Sequence, residues 1–290
     1  MQRSRPRSAT GLRMCTWPLV TTAGAILVAL AVGVSAVTLG LSPARTATAV
    51  SIARPKPVSS PVHGRNGVAL RAVVGLGDSV PEGFRCDCSP FVERVGAALQ
   101  SAQRRSVSVR DLAVGGLTSG GLLAQVRQGQ LGAPADQLTL ITIGANDFDS
   151  GQLSSPGYRL PDKFAAYAPQ LSALRDNVSA LLSLLARPGH GPICVTGYWN
   201  VFLDGSVGRS LGAPYARDSD GLTLLVNAAL RAVSVAHGVS YVDLYQPFKE
   251  SAGADDSDLL APDGDHPSSA GHAVIAEAVL AELNREHLFP

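Results

Sequence analysis

The stretch VALRAVVGL, residues 68–76, is a short apolar run rich in β-branched side chains, the pattern of a strand buried on both faces. Ser89 and Pro90 then supply an N-cap and a first-turn proline, and Val92, Val95, Ala98 and Leu99 recur at helical spacing behind them. Further strands are predicted at SVSVRDLAV (106–114), QLTLITIG (137–144), PICVTGY (192–198) and VSYVDLY (239–245), each separated from the next by a helical stretch. The helix before the last strand shows the period most cleanly. Leu222, Leu225, Val226, Ala229, Leu230, Val233 and Ala236 form one stripe behind a polar cap region, Asp218-Ser219-Asp220. Apolar strands alternating with amphipathic helices imply right-handed crossovers and a five-stranded, mostly parallel sheet covered on both faces. The expected fold is therefore a three-layer α/β/α sandwich forming one domain over 68–290, with any ligand at the carboxyl ends of the strands.

Composition narrows the function. Of 290 residues 46% are hydrophobic, enough to bury a sizeable core. Positions 1–49 carry five arginines and no acid, which leaves 19 basic against 23 acidic residues in the remainder. With only three lysines in the chain and no basic stripe beyond the N-terminus, a nucleic-acid binder is excluded, since phosphate binding needs clustered cations. Residues 18–41, PLVTTAGAILVALAVGVSAVTLGL, are almost wholly apolar or small and follow four arginines. That run exceeds the usual apolar core of a signal peptide, about 7 to 15 residues, and reaches the length of a bilayer span, about 20. Residues 1–49 thus read as a signal peptide, with Ala47-Thr48-Ala49 as small residues at a cleavage point, or as a retained anchor. Either way the rest lies outside the cytoplasm, and membrane contact is confined to this segment. Residues 50–67, rich in Pro, Ser and Arg, read as a flexible linker.

Four strand ends carry candidate chemistry. Gly75-Leu76-Gly77-Asp78-Ser79-Val80 lacks the third glycine of a dinucleotide fingerprint, and Pro81 stands where a nucleophile elbow requires glycine. It leaves a serine at a tight strand-to-helix turn. Gly115-Gly116-Leu117-Thr118-Ser119-Gly120-Gly121 is a glycine-rich loop without the Gly-Lys-Ser/Thr ending of a phosphate loop. Gly144-Ala145-Asn146-Asp147 ends the third strand with an amide able to donate to an oxyanion, or with an ordinary turn that caps the next segment. Asp263-Gly264-Asp265-His266-Pro267 places acids beside a histidine just before a helix. A catalytic serine needs a base, and the base needs an acid to hold its tautomer. Asp263, one turn before His266, is the preferred acid over Asp265, because adjacent side chains tend to point apart. A metal reading of this cluster is weak, because His272 falls inside the following helix and no second histidine lies at ligand spacing.

Gly-Asp-Ser, the glycine loop, Gly-x-Asn-Asp and Asp-x-x-His-Pro, in that order from about residue 73 to 283, resemble the SGNH hydrolases, also called GDSL esterases and lipases. The resemblance implies a flavodoxin-like α/β/α fold and a serine hydrolase that needs no metal or cofactor. By similarity Ser79 is the nucleophile, His266 the general base and Asp263 its orienting acid. Gly116 and Asn146, with the N–H of Ser79, would form the oxyanion hole. Val80 departs from the commoner leucine, and residues 80–88, VPEGFRCDC, look like exported actinobacterial members of the family. The implied substrate is a small-molecule, lipid or glycan ester, and a monomer is expected. The same machinery serves lipases, carbohydrate acetylesterases and acyltransferases, and the rival class is a non-catalytic surface binding module on the same fold.

Cys86, Cys88 and Cys194 make an odd count beyond the N-terminal segment. In an oxidising compartment Cys194 is expected to pair with Cys86 or Cys88, although Cys194 reads equally as a buried strand residue. Three irregular stretches, 148–163, 199–218 and 249–262, are expected around the cleft, with Tyr198, Trp199 and Phe202 as either an apolar substrate wall or simple packing. His63, His190, His237 and His287 read as surface residues.

Overall fold

The computed structural model describes residues 69–129, 131–154, 164–252 and 255–288. The chain divides into two units, Met1–Lys56 and Pro57–Pro290, and all described residues belong to the second. The expected signal or anchor, the linker and His63 lie outside the described residues.

Five strands form one sheet: β1 (Ala72–Gly77), β2 (Ser108–Asp111), β3 (Gln137–Thr142), β4 (Ile193–Thr196) and β5 (Ser240–Val242). Their order is β2-β1-β3-β4-β5, and every neighbouring pair is parallel, with Val73 beside both Val109 and Leu138 and Leu140 beside Cys194. β3 and β4 are buried at every position, and their buried polar side chains pair with one another, Gln137 with Thr139 and Thr142 with Thr196. β2, by contrast, is an edge strand with three exposed residues of four.

The helices cover both faces. α1 (Ser79–Glu82) is a single turn after β1, and α2 (Phe91–Gln103) packs on α8 (Ser269–Arg285). α3 (Ser119–Arg127), α4 (Ala168–Leu185) and α6 (Ala213–Ala236) pack in succession. Phe91, Val92, Val95 and Leu99 bury one stripe of α2, and Leu222, Val226, Ala229 and Leu230 bury the predicted stripe of α6. Because the chain leaves β1 toward β2 and then returns past it to β3, the carboxyl ends of β1 and β3 flank a switch in winding direction, where such folds hold ligands.

Several local expectations are corrected. α6 starts eight residues before Gly221, at Ala213, after Gly212 in a positive-φ conformation and with a proline in its first turn. Asp218 and Ser219 are therefore helix interior rather than cap, and both are buried, Ser219 with its hydroxyl satisfied by Ala216 O and Asn200 Nδ2. The stretch 199–218 is not irregular, since it also holds α5 (Gly205–Ser210), capped by Asp204. The stretch 249–262 likewise begins inside α7 (Tyr245–Ala252). Pro90, not Ser89, is the residue that precedes α2, and the Ser89 hydroxyl binds Glu93 instead.

Candidate active site

The turn that carries Ser79 is built for close approach. Gly77 has φ +131°, and a Cβ there would run into the backbone carbonyl of Thr142, so only glycine lets β1 turn over β3 at this point. The Asp78 N–H donates to Thr142 O at 3.0 Å. Asp78 caps α1, its Oδ1 accepting from the Val80 N–H, and Gly83 ends that turn in the left-handed region. The Asp78 carboxyl is buried, and burial raises its pKa from 3.8 to about 6, although it accepts a 2.6 Å bond from the Tyr198 hydroxyl. Tyr198 in turn accepts from the Ala145 N–H and is fastened to α6 by two backbone bonds with the Asn227 amide. One phenol thus ties the serine turn to the turn that carries Asn146.

Asp147 does a different job from the one its sequence position suggests. Instead of capping the following segment, its carboxylate takes the Ser119 N–H (2.9 Å) and hydroxyl (2.5 Å) at the start of α3. Asn146 is exposed and donates one amide N–H to the carbonyl of Leu117 at 3.2 Å. A primary amide has two N–H groups, so this bond anchors Asn146 to the glycine loop and leaves a second donor for a ligand. Gly116 has φ +77° with open space where a Cβ would sit, whereas Gly115 is packed against Glu82. Neither glycine lines the cleft described below.

The histidine comes from the loop that leads into α8. His266 Nε2 lies 2.8 Å from Ser79 Oγ, and His266 Nδ1 lies 3.0 Å from Asp263 Oδ2. Asp263 also accepts the His266 backbone N–H through Oδ1. The expectation that Asp265 points away is overturned, since its Oδ1 stands 2.9 Å from the same Nδ1. Gly264, at φ +84° with Val207 against its Cα, makes this reversal. Short backbone bonds brace the loop: Ala261 N to His266 O, Gly264 N to Ala261 O and Asp204 N to Gly264 O. Asp204 is itself held by Lys249, which also binds Asp256. Burial works against a charged His266 ring, but the carboxylates of Asp265 and Asp263 outweigh it and raise its pKa above the usual histidine value. Burial also opposes the Asp263 charge, yet His266 holds that carboxyl below its ordinary range.

Ser79, Asn146, Asp265 and His266 open onto one cleft of about 140 Å³ above the buried Asp78, and its apolar wall is Val80, Phe148, Val201 and Phe202. Of the aromatic candidates only Phe202 reaches it. Tyr198 and Trp199 are core residues, the indole stacked on Phe248 at 4.6 Å. Phe84, exposed, meets the edge of His266 at 4.9 Å, and Arg85 Nε lies 3.5 Å from Asp263 Oδ2. Neither contact has a pattern in sequence.

The cysteine expectation is corrected. The structure brings the sulfurs of Cys86 and Cys88 together across one residue, while Cys194 is free and buried in β4, where burial raises its pKa to about 12. His190 and His237 are half-buried, the latter bonded to Ser179, and His287 is exposed. His272 is buried against Phe91, and burial lowers its pKa to about 4. Among the described residues two groups bring three ligating atoms within 4.8 Å, Cys86-Cys88-His272 and Asp263-Asp265-His266. In the first the sulfurs engage each other, and in the second His266 Nδ1 is hydrogen-bonded to Asp263 while Nε2 meets Ser79.

Residues 76–274 match the model of the GDSL-like lipase/acylhydrolase family. Solved structures share the fold at low identity. An acetylxylan esterase from Geobacillus stearothermophilus has a TM-score of 0.52 at 21% identity, covering 73% of this chain and 94% of that one. Phospholipase A1 from Streptomyces albidoflavus has 0.55 at 19%, covering 74% and 100%. A lipase from a goat rumen metagenome has 0.54 at 20%, covering 73% and 96%. No curated protein sequence matches significantly.

Proposed function

The chain belongs to the GDSL-like lipase/acylhydrolase family and is a carboxylester hydrolase, and from that premise we propose that Ser79, His266 and Asp263 form its catalytic relay and that it acts outside the cytoplasm. The observation that carries the relay is the continuous line of bonds from Ser79 Oγ to His266 Nε2 at 2.8 Å and from Nδ1 to Asp263 at 3.0 Å. Ser79 Oγ attacks the ester carbonyl as His266 takes its proton, and the imidazolium then returns that proton to the departing alkoxide. Water, activated by the same ring, releases the acyl group. The free amide N–H of Asn146 and the N–H of Ser79 stabilise the oxyanion. Gly116 enters this reading through the family resemblance, as a backbone N–H donor to the same hole. The export reading rests on the arginine-flanked apolar run of 18–41.

The fold neighbours are named for different esters, so the acyl group is argued from the cleft. A volume of about 140 Å³ holds roughly five water-sized groups, which fits an acetyl to butyryl chain against Phe148, Val201 and Phe202. Hydrolysis of p-nitrophenyl acetate, butyrate and palmitate by the full-length protein, with fluorophosphonate labelling, tests the reading. Short esters should be preferred. Ser79→Ala should lose turnover and labelling together, by on the order of 10⁴-fold or more in rate. Asn146→Ala should lose about 100-fold to 1000-fold in kcat while remaining labelled and folded. A folded wild type with neither activity nor labelling would promote the surface binding module.

A further inference from the structure

Two carboxylates, not one, converge on the ring nitrogen of His266 that faces away from Ser79. Asp263 Oδ2 lies 3.0 Å and Asp265 Oδ1 2.9 Å from Nδ1. The two acids are not equivalent. Asp263 divides its charge among three donors, because Oδ2 also faces Arg85 Nε at 3.5 Å and Oδ1 takes the His266 backbone N–H. Asp265 comes to the ring from the residue immediately before it, which the turn at Gly264 makes possible. Resting on the relay proposed above, we propose that Asp265 is a second positioning acid of His266, sharing with Asp263 the work of holding the Nδ1–H tautomer and stabilising the imidazolium.

Asp263 accepts the Nδ1–H in hydrogen-bond geometry and Asp265 places a second negative charge 2.9 Å from the same atom, so losing either one leaves an anion that favours the Nδ1–H ring directed at Ser79. A second anion also favours the charged ring, which moves the pH at which the base becomes available upward. The other groups facing this histidine act from different elements and stay in place when Asp265 is changed. The Asp78 carboxyl acts on it electrostatically from the β1 turn, Arg85 reaches it through Asp263, His272 acts on it from α8, and Tyr215 of α6 interacts with Asp265.

The test is the ring titration of His266 by NMR together with kcat/KM against pH, for the full-length wild type, Asp263→Asn, Asp265→Asn, Asp265→Ala and the double Asn variant. Both Asp265 variants should lower the His266 pKa and move the acid limb of kcat/KM to lower pH by about one unit. Asp263→Asn should lose about 10-fold to 100-fold in plateau rate, well short of the order of 10⁴ that removal of a sole orienting acid costs, and the double variant should approach that larger loss. A purely structural role for Asp265 would move stability and not the titration. The proposal is overturned if Asp265→Asn leaves the titration and the acid limb where they were while Asp263→Asn alone loses about 10⁴-fold. The two possible failures are distinguishable: a wild type that fluorophosphonate does not label refutes the nucleophile, whereas a labelled enzyme whose His266 ignores Asp265 refutes only the second acid.

Discussion

The turn that carries Ser79 and the loop that carries His266 meet at 2.8 Å, yet they are held by opposite means. The serine turn is a piece of the core. Its fixtures are Gly77 against Thr142, a buried Asp78 and the phenol of Tyr198, all out of contact with solvent. The histidine loop is half-exposed and charged, held by Asp263, Asp265, Arg85 and the Lys249 cluster with Asp204 and Asp256. A nucleophile needs a fixed position, which packing and buried hydrogen bonds supply. A base must change charge during each turnover, which requires neighbours whose field favours the imidazolium without sealing it from water. Changes to the first region should therefore register as stability and changes to the second as rate and pH dependence.

The sharpest way to break that division is Gly264→Ala. The residue sits at φ +84°, and its Cβ would come within 2.5 Å of Val207 Cβ, so strain and overpacking add. We expect a loss of about 2–4 kcal/mol in denaturant unfolding and a fall in kcat of at least about 10-fold, because a 1 Å displacement of a base is enough for that. Wild-type rate with an unchanged midpoint would show that the loop is softer than its bonds suggest. Tyr198→Phe probes the other region. It removes the donor to a buried carboxyl and the acceptor of the Ala145 N–H, for about 1–3 kcal/mol in stability and a smaller effect on the acid limb of kcat/KM.

Asp78→Asn leaves the chemistry least disturbed and gives the most specific pH signature, with its effect on stability greatest above pH 6. Because the folded pKa is raised to about 6 from 3.8, the folded state holds a proton that the unfolded state has lost, and stability falls as pH rises through that window. The variant should gain on the order of 1–3 kcal/mol over wild type above pH 6 and little below pH 4, read from melts at matched ionic strength. His272 works in the opposite direction. Its folded pKa, lowered to about 4 from 6.5, makes stability fall as pH drops through that range. With Asp78 neutralised, the acid destabilisation from His272 should stand out as a steeper fall in melting temperature below pH 6. An Asp78→Asn variant with a flat difference from wild type across this range would mean that the Tyr198 bond offsets the burial of the carboxylate.

The strand runs at 68–76, 137–144, 192–198 and 239–245, the alternating helices and the four blocks at strand ends were legible from one sequence. Each is a local signal: side-chain periodicity reports which faces are buried, and glycine, aspartate and proline mark turns by their own backbone preferences. Ser79, Asn146, Asp263 and His266 could be named for the same reason, as each sits in a short motif. What the sequence did not contain is every relation that depends on distant elements meeting. The link from Tyr198 to Asp78 spans 120 positions, and Asp147 reaches back 28 to clamp Ser119. The sulfurs of Cys86 and Cys88 are brought together across one residue, while Cys194 is free and buried in β4. Asp218-Ser219 read as a cap because polar residues favour helix starts, whereas the helix begins five residues earlier at Ala213 and Ser219 is bonded inside to Asn200. Asp265 is the clearest case. Adjacent side chains diverge by default, and only the left-handed turn at Gly264, braced by Asp204 of a separate helix cap, brings the second acid onto the ring of His266.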